Sequence, residues 1–254
     1  MSGFTQYVED PEWGSYYELT KGGFYAMIIL MLLVIGVAVY FVSKKQATGK
    51  FGPKKLAVAG ISLALAFITS YIKFELPMGG SVTLFSMFFI CFVGYLYGID
   101  VGLITAFAYS ILQFLQTGSS YFLSPFQICC DYFFAFTALG IAGFWYQKKG
   151  GLIRGYVVAC LVRGLFHTIG GYIYWMDYMP DWFPKGISWT YSIVYNYSYI
   201  LAEMILTLII LNIPAVKGAI MRIVSRMGEL PDEKADAMGQ DENNETEVPE
   251  NKQE

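Results

Sequence analysis

Residues 154–176 read RGYVVACLVRGLFHTIGGYIYWM, an apolar run that nevertheless carries Arg163 and the chain's single histidine, His167. A helix of these 23 residues is long enough to cross the roughly 30 Å hydrocarbon layer of a bilayer. Ionisable side chains are expensive there and mark functional or paired positions. His167, Gly171 and Trp175 follow at i, i+4 and i+8, so on a helix they share one face in steps of about 6 Å. The chain then turns through DYMPDWFPKGISW (177–189) and enters another apolar segment, with Tyr191 and Asn196 near its start. A site formed where two helices meet an aromatic loop is the simplest reading.

Working outward, the clearest further span is GFYAMIILMLLVIGVAVYFVS (23–43), closed by Lys44 and Lys45. Others are expected at 55–72, 82–98, 101–117, 126–146 and 189–213, joined by short turns such as YGID (97–100) and YQKKGG (146–151). The composition agrees: 56% hydrophobic, 15% charged, with a mean hydropathy of +0.47, well above that of soluble domains. The expectation is an all-α integral membrane protein of seven spans. Its 20 tyrosines, 20 phenylalanines and 5 tryptophans suit a lipid-facing surface with aromatic belts. A net charge of -3 argues against nucleic acid as a partner, leaving membrane lipid as the surrounding medium.

The basic residues orient the spans. Lys44, Lys45, Lys50, Lys54, Lys55, Lys148, Lys149, Arg154, Lys217, Arg222 and Arg226 fall on one side, and Lys21, Lys73 and Lys185 on the other. Eleven against three places the C-terminus in the cytoplasm and the N-terminus outside the cell membrane. Five stretches follow: an extracellular N-terminal segment (1–22), a transmembrane helix (23–43), a basic cytoplasmic linker (44–54), a six-helix membrane domain (55–215) and an acidic cytoplasmic tail (216–254). The tail, ending DEKADAMGQDENNETEVPENKQE, lacks aromatics and reads as disordered. The N-terminal segment, acidic and aromatic, does not read as a signal peptide. Cys91, Cys129, Cys130 and Cys160 form no CxxC pair and have one histidine to assist them, so they read as buried small hydrophobes and no metal is expected.

Individual residues carry two readings each. Asp131 is either the binding group for a cationic or multi-donor ligand or a structural group, paired with Arg163 or capping a helix. His167 is a pocket wall or an interhelical donor, and Trp175 a ring platform or an interface anchor. Gly171 leaves room beside Trp175 for a flat group, although the adjacent Gly170 fits plain helix packing equally. Asn196 offers a donor and an acceptor to a heterocycle edge, or to a neighbouring helix. Tyr191, five residues earlier, reaches the same ligand only from a bent entry to the span. Arg163 snorkels or bonds a carboxylate such as Glu203, itself read as a helix-helix partner. Glu75, Gly79 and Gly80 form either a mobile lid or a tight turn.

Four stretches resemble the thiamine-specific substrate-binding (S) component of energy-coupling factor vitamin transporters. They are LPMGGSVTLFSM (76–87), SPFQICCDYFFAFTALGIAG (124–143), VRGLFHTIGGYIYW (162–175) and PKGISWTYSIVYNYSYI (184–200). The DY, HxxxGxxxW and YSxxxN elements are specific, and the resemblance covers about residues 54–215. It implies a six-helix core, here with one extra N-terminal transmembrane helix, that binds extracellular thiamine with high affinity. Uptake would pass through a transmembrane coupling subunit driven by two cytoplasmic ATPase subunits. This chain would be a transport subunit, not an enzyme, with no cofactor of its own and thiamine as its transported ligand. The implied pocket is Asp131, Tyr132, His167, Gly171, Trp175, Tyr191 and Asn196. Small residues on the first core helix, Ala57, Gly60 and Ala64, would dock the coupling subunit. The chain departs from the family in placing aspartate where some members have glutamate, and in lacking the loop tryptophan expected near Lys73 and Phe74. An S component for a thiamine precursor or another vitamin is the main alternative, followed by a stand-alone secondary transporter. A lipid-modifying enzyme has only His167 and Asp131 to draw on.

Overall fold

In a computed structural model, residues 5–10, 14–23, 25–26, 29, 52–76, 80–117 and 124–227 are described. The span expected at 23–43 falls largely outside them, as do most of the basic linker, Gly79 and the tail from 228. The remaining apolar runs form helices close to their expected limits: α1 (Pro53–Ser70), α2 (Ser86–Tyr97), α3 (Ile99–Thr117), a mixed helix α4 (Pro125–Trp145), α5 (Gly151–Tyr174) and α6 (Tyr191–Leu211). Five of the six are long and apolar enough to cross a membrane, while α2, with 12 residues, is shorter. The architecture is that of a helical, multi-span membrane protein.

Two compact units divide the chain, Met1–Ile210 and Leu211–Glu254. The second contains α7 (Pro214–Met227), whose bases Lys217, Arg222 and Arg226 alternate with apolar residues. The first contains the bundle and two hairpins that the sequence reading did not include. Strands β1 (Thr5–Asp10) and β2 (Gly14–Leu19) pair antiparallel, with Tyr7 opposite Tyr17. Strands β3 (Lys73–Glu75) and β4 (Ser81–Thr83) pair likewise, with Glu75 opposite Ser81. The second hairpin shortens the span expected at 82–98, because Ser81, Val82 and Thr83 spend their backbone groups on pairing and the helix starts only at Ser86.

Small residues set the helix spacing. On α1, Ala59, Ser62, Ala66 and Ser70 repeat at three and four residues and face inward, while Leu56, Ile61 and Ile68 are exposed. Helix α4 meets α3 backbone to backbone: a Cβ on Gly140 would lie 2.6 Å from the Leu103 backbone. Its stretch Ala138–Trp145 is a 3-10 helix, tighter than an α-helix.

Glu203 joins the second hairpin to the bundle. It is 3% exposed, on α6, and its carboxylate accepts hydrogen bonds from Thr83 N (3.2 Å), Thr83 Oγ1, Ser86 Oγ (3.3 Å) and Met87 N (3.2 Å). Between them Phe85 takes a left-handed backbone (φ 62°), strained for a bulky residue. It supplies no side-chain cap to α2, so a carboxylate from another helix serves the first turn instead. Glu203→Leu should lower stability by roughly 2–4 kcal/mol, and Glu203→Gln by less, since the amide retains one acceptor oxygen. Melting of the detergent-solubilised protein reads this; an unchanged midpoint in Glu203→Leu would mean the carboxylate does not hold the turn.

Candidate functional site

The site begins with how α4 is wound. Ser124 caps the helix by accepting from Gln127 N at 3.1 Å, Pro125 occupies its first turn, and after Ile128 the chain enters a π-helical segment, Cys129–Phe134. A π turn holds one more residue than an α turn and redirects the side chains on it. Asp131 lies in this segment. Its Oδ2 accepts from Gln127 Nε2 (2.6 Å) and from Trp175 Nε1 (3.2 Å), and its Oδ1 lies 3.6 Å from His167 Nδ1. The Asp131 and His167 side chains are 16% and 11% exposed, so a nearly enclosed carboxylate is surrounded by donors from two helices.

Helix α5 contributes His167, and two glycines let its neighbours close in. A Cβ on Gly170 would lie 2.7 Å from Asp131 Oδ1; one on Gly171 would overlap Ser192 Oγ and come within 2.8 Å of Asn196 Nδ2. The space beside Gly171 that the sequence reading assigned to a flat group is therefore filled by α6. Trp175 stands at the end of the face that carries His167: α5 ends at Tyr174, and Trp175 caps it by donating its backbone N–H to Gly171 O at 3.0 Å, while its indole N–H and His167 Nδ1 both face the Asp131 carboxylate. Its indole packs on Tyr178 at 5.3 Å.

Helix α6 supplies the third wall. Asn196 Nδ2 donates to His167 O (3.2 Å) and Ser192 O (2.9 Å), and its Oδ1 accepts from Tyr199 OH (2.8 Å). Ser192 Oγ donates to Thr168 O at 2.8 Å. The Tyr199 ring stands edge-on to His167 at 6.1 Å and lies against Gly80, where a Cβ would collide with it. Tyr191 starts α6 after the 3-10 segment Lys185–Thr190, whose Ile187 is non-helical; the bend lies before Tyr191, which is itself helical, so the five residues to Asn196 run within one α-helix and the two side chains leave it in different directions. From there its hydroxyl reaches Tyr178 O at 3.5 Å.

Asp131, His167, Gly171, Trp175 and Asn196 thus come together, with Tyr191 joined through Tyr178. The Tyr132 ring instead meets Phe114 at 5.7 Å, within an apolar cluster that includes Ile111 and Ile128. Arg163 does not bond Glu203: its Nε points at His167 Nε2, 3.4 Å away, and its guanidinium covers the Phe136 ring at 4.3 Å. Glu203 is occupied by the hairpin end. Of the lid residues, Glu75 is exposed in β3 and Gly80 is buried under Tyr199. Ala57, Gly60 and Ala64 lie on the exposed face of α1, and a Cβ on Gly60 would meet nothing within 4 Å.

Gln127, Ser192 and Tyr199 join the site without a role expected from the sequence, although Ser192 stands in the YSxxxN element. Each has a signal at helical spacing: Gln127 four residues before Asp131, Ser192 four before Asn196, and Tyr199 completing Tyr191 and Tyr195 at i, i+4 and i+8. Among the described residues no group of three His, Cys, Asp or Glu side chains is arranged to hold a metal ion.

These features define a multi-span membrane protein whose helices enclose one polar, aromatic cluster. The chain belongs to the family described as thiamine transporter protein, whose model matches residues 56–222. It is 28% identical over 170 residues to the thiamine transporter ThiT of Bacillus subtilis, a match spanning 62% of this chain and 86% of that protein. It is also 28% identical over 123 residues to ThiT of Lacticaseibacillus paracasei, across 42% of this chain and 59% of the relative. The fold is shared with the solved structure of ThiT from Listeria monocytogenes, with a TM-score of 0.52 and 21% identity over 62% of this chain and 90% of that one. Family membership makes this chain a transport subunit and not an enzyme.

The two glycine environments give a direct contrast. Gly171→Ala should destabilise the protein by about 1–3 kcal/mol by forcing α6 away from α5, whereas Gly60→Ala should raise stability by up to about 1 kcal/mol. Equal melting temperatures for the two variants would show that the α5–α6 approach is looser than described.

Proposed function

We propose that thiamine, the substrate that family membership gives this chain, is bound by Asp131, Tyr132, His167, Gly171, Trp175, Tyr191 and Asn196. The observation that carries this reading is the Asp131 carboxylate, held within an apolar helix by Gln127, Trp175 and His167. A buried anion framed by aromatic rings suits a flat, aromatic cation, which gains both charge pairing and ring contact. Asn196 reads the polar edge of the heterocycle, and Gly171 acts by admitting Asn196 to the site. Tyr132 contributes from the apolar side, and Glu75, Gly79 and Gly80 belong to a covering loop.

The chain is a six-helix S component preceded by one further helix at 23–43. The distribution of basic residues supports an N-terminus outside and a C-terminus in the cytoplasm, so that the Trp175 end of the bundle faces the exterior. Ala57, Gly60 and Ala64 dock a transmembrane coupling subunit, which two ATPases drive; their exposure on α1 supports that role.

Tryptophan fluorescence of the detergent-solubilised chain tests the binding reading. Thiamine should quench it at nanomolar levels while riboflavin and biotin do not. Asp131→Asn should weaken binding at least about tenfold, and Trp175→Phe, which keeps a ring but removes the N–H from Asp131, should weaken it less. Undiminished affinity in Asp131→Asn would remove the carboxylate from the site. Docking separates from binding: Gly60→Leu should retain thiamine affinity and lose uptake in cells carrying the coupling subunits, and normal uptake would exclude that face.

A further inference from the structure

We propose that Arg163 is a positioning residue of this site: its guanidinium fixes the tautomer of His167 and so keeps the imidazole neutral beside Asp131. The ligand arm of this inference rests on the thiamine reading above; the tautomer arm does not. A guanidinium has donors only and stays charged at any relevant pH. Its Nε faces His167 Nε2 at 3.4 Å, so Nε2 must present a lone pair. A neutral imidazole without a proton on Nε2 carries it on Nδ1, and Nδ1 is the nitrogen facing Asp131 Oδ1 at 3.6 Å. Two contacts on opposite sides of the ring therefore demand the same tautomer. A proton on Nε2 would oppose N–H to N–H, and on a ring already protonated at Nδ1 it would also set a cation against a cation.

The arginine is held for this task. It sits one helical turn before His167, is 8% exposed, and lies over Phe136. Among the described residues no carboxylate lies within 4 Å of it, Glu203 being engaged by Thr83, Ser86 and Met87. The other groups around the imidazole do not compete for its proton. On α6, Tyr199 gives its hydroxyl to Asn196; on α4, Phe136 is edge-on at 6.3 Å and Asp131 faces Nδ1. Arg163 thereby preserves the negative charge of Asp131 for a cationic ligand. Without it Nε2 can take a proton, and the imidazolium then satisfies Asp131 in the ligand's place.

Because the chain has a single histidine, one imidazole signal reports the state directly. The full chain, labelled with 15N-histidine and purified without a histidine tag, should show the proton on Nδ1 and no second protonation from about pH 8 to pH 5.5. R163M should show mixed tautomers at the upper end and an imidazolium at the lower, and R163K, which keeps a donor, should restore the Nδ1–H form. Thiamine affinity should stay level across this range in the unaltered chain and fall about tenfold in R163M. An Nε2–H tautomer in the unaltered chain overturns the proposal, even if R163M does not fold. So does an R163M imidazole signal identical to the unaltered one, whatever the affinity, since Arg163 would then only fill space. A correct tautomer without thiamine binding would instead count against the ligand reading alone.

Discussion

The arrangement turns on how closely α5 can be approached. Gly170 and Gly171 are adjacent, so they point to different sides of the helix, one toward α4 and one toward α6. Each offers bare backbone where any side chain would stand in the way, of Asp131 in one case and of Ser192 and Asn196 in the other. In a membrane, where lipid tails are as apolar as leucine, such close approach is what dispersion contacts and interhelical hydrogen bonds require. The polar cluster is therefore a product of helix packing: remove the glycine gap and the three helices that supply its donors and acceptors no longer share a centre.

Buried charge is handled by local saturation. Among the described residues Asp131 and Glu203 are the carboxylates enclosed in the bundle, and each is surrounded by hydrogen-bond donors, Asp131 by side chains and Glu203 partly by the backbone N–H groups of Thr83 and Met87. Glu203 has its carboxylate engaged by the hairpin end and the start of α2, and holds a turn. Asp131 is ringed by Trp175, His167 and, beyond them, Tyr199, whose faces and edges suit a ligand. Similar chemistry thus fastens a turn in one place and lies at the proposed binding site in the other.

Much of this was legible in the sequence because hydrophobic runs of helical length are a strong signal. Six helices fell close to their expected positions, and Asp131, His167 and Asn196 stood out as polar groups in apolar surroundings. What was hidden depends on geometry finer than periodicity. No residue type announces a π turn, so the direction of Asp131 could not be read. The gap at Gly171 looked like room for a ligand because the sequence does not say which helix will fill it. Strands β3 and β4 are three residues each, too short for an alternating pattern to register. For Arg163 the sequence suggests snorkelling or a carboxylate such as Glu203, whereas the chain gives the arginine the His167 ring one turn away and gives the glutamate a hairpin.

Glu203 also sets an order on biosynthesis. It lies 120 residues downstream of Thr83 and 116 downstream of Met87, the groups it secures. As the polypeptide leaves the ribosome, α2 and its preceding turn emerge long before their carboxylate exists. The left-handed Phe85 has no support from α6 during that interval, and the early helices enter the bilayer with an unfinished join. Insertion of the last span completes it. A nascent chain stopped before α6 would lack one wall of the proposed ligand site and the carboxylate that fastens the start of α2, which makes α6 the step that commits the bundle to its folded form.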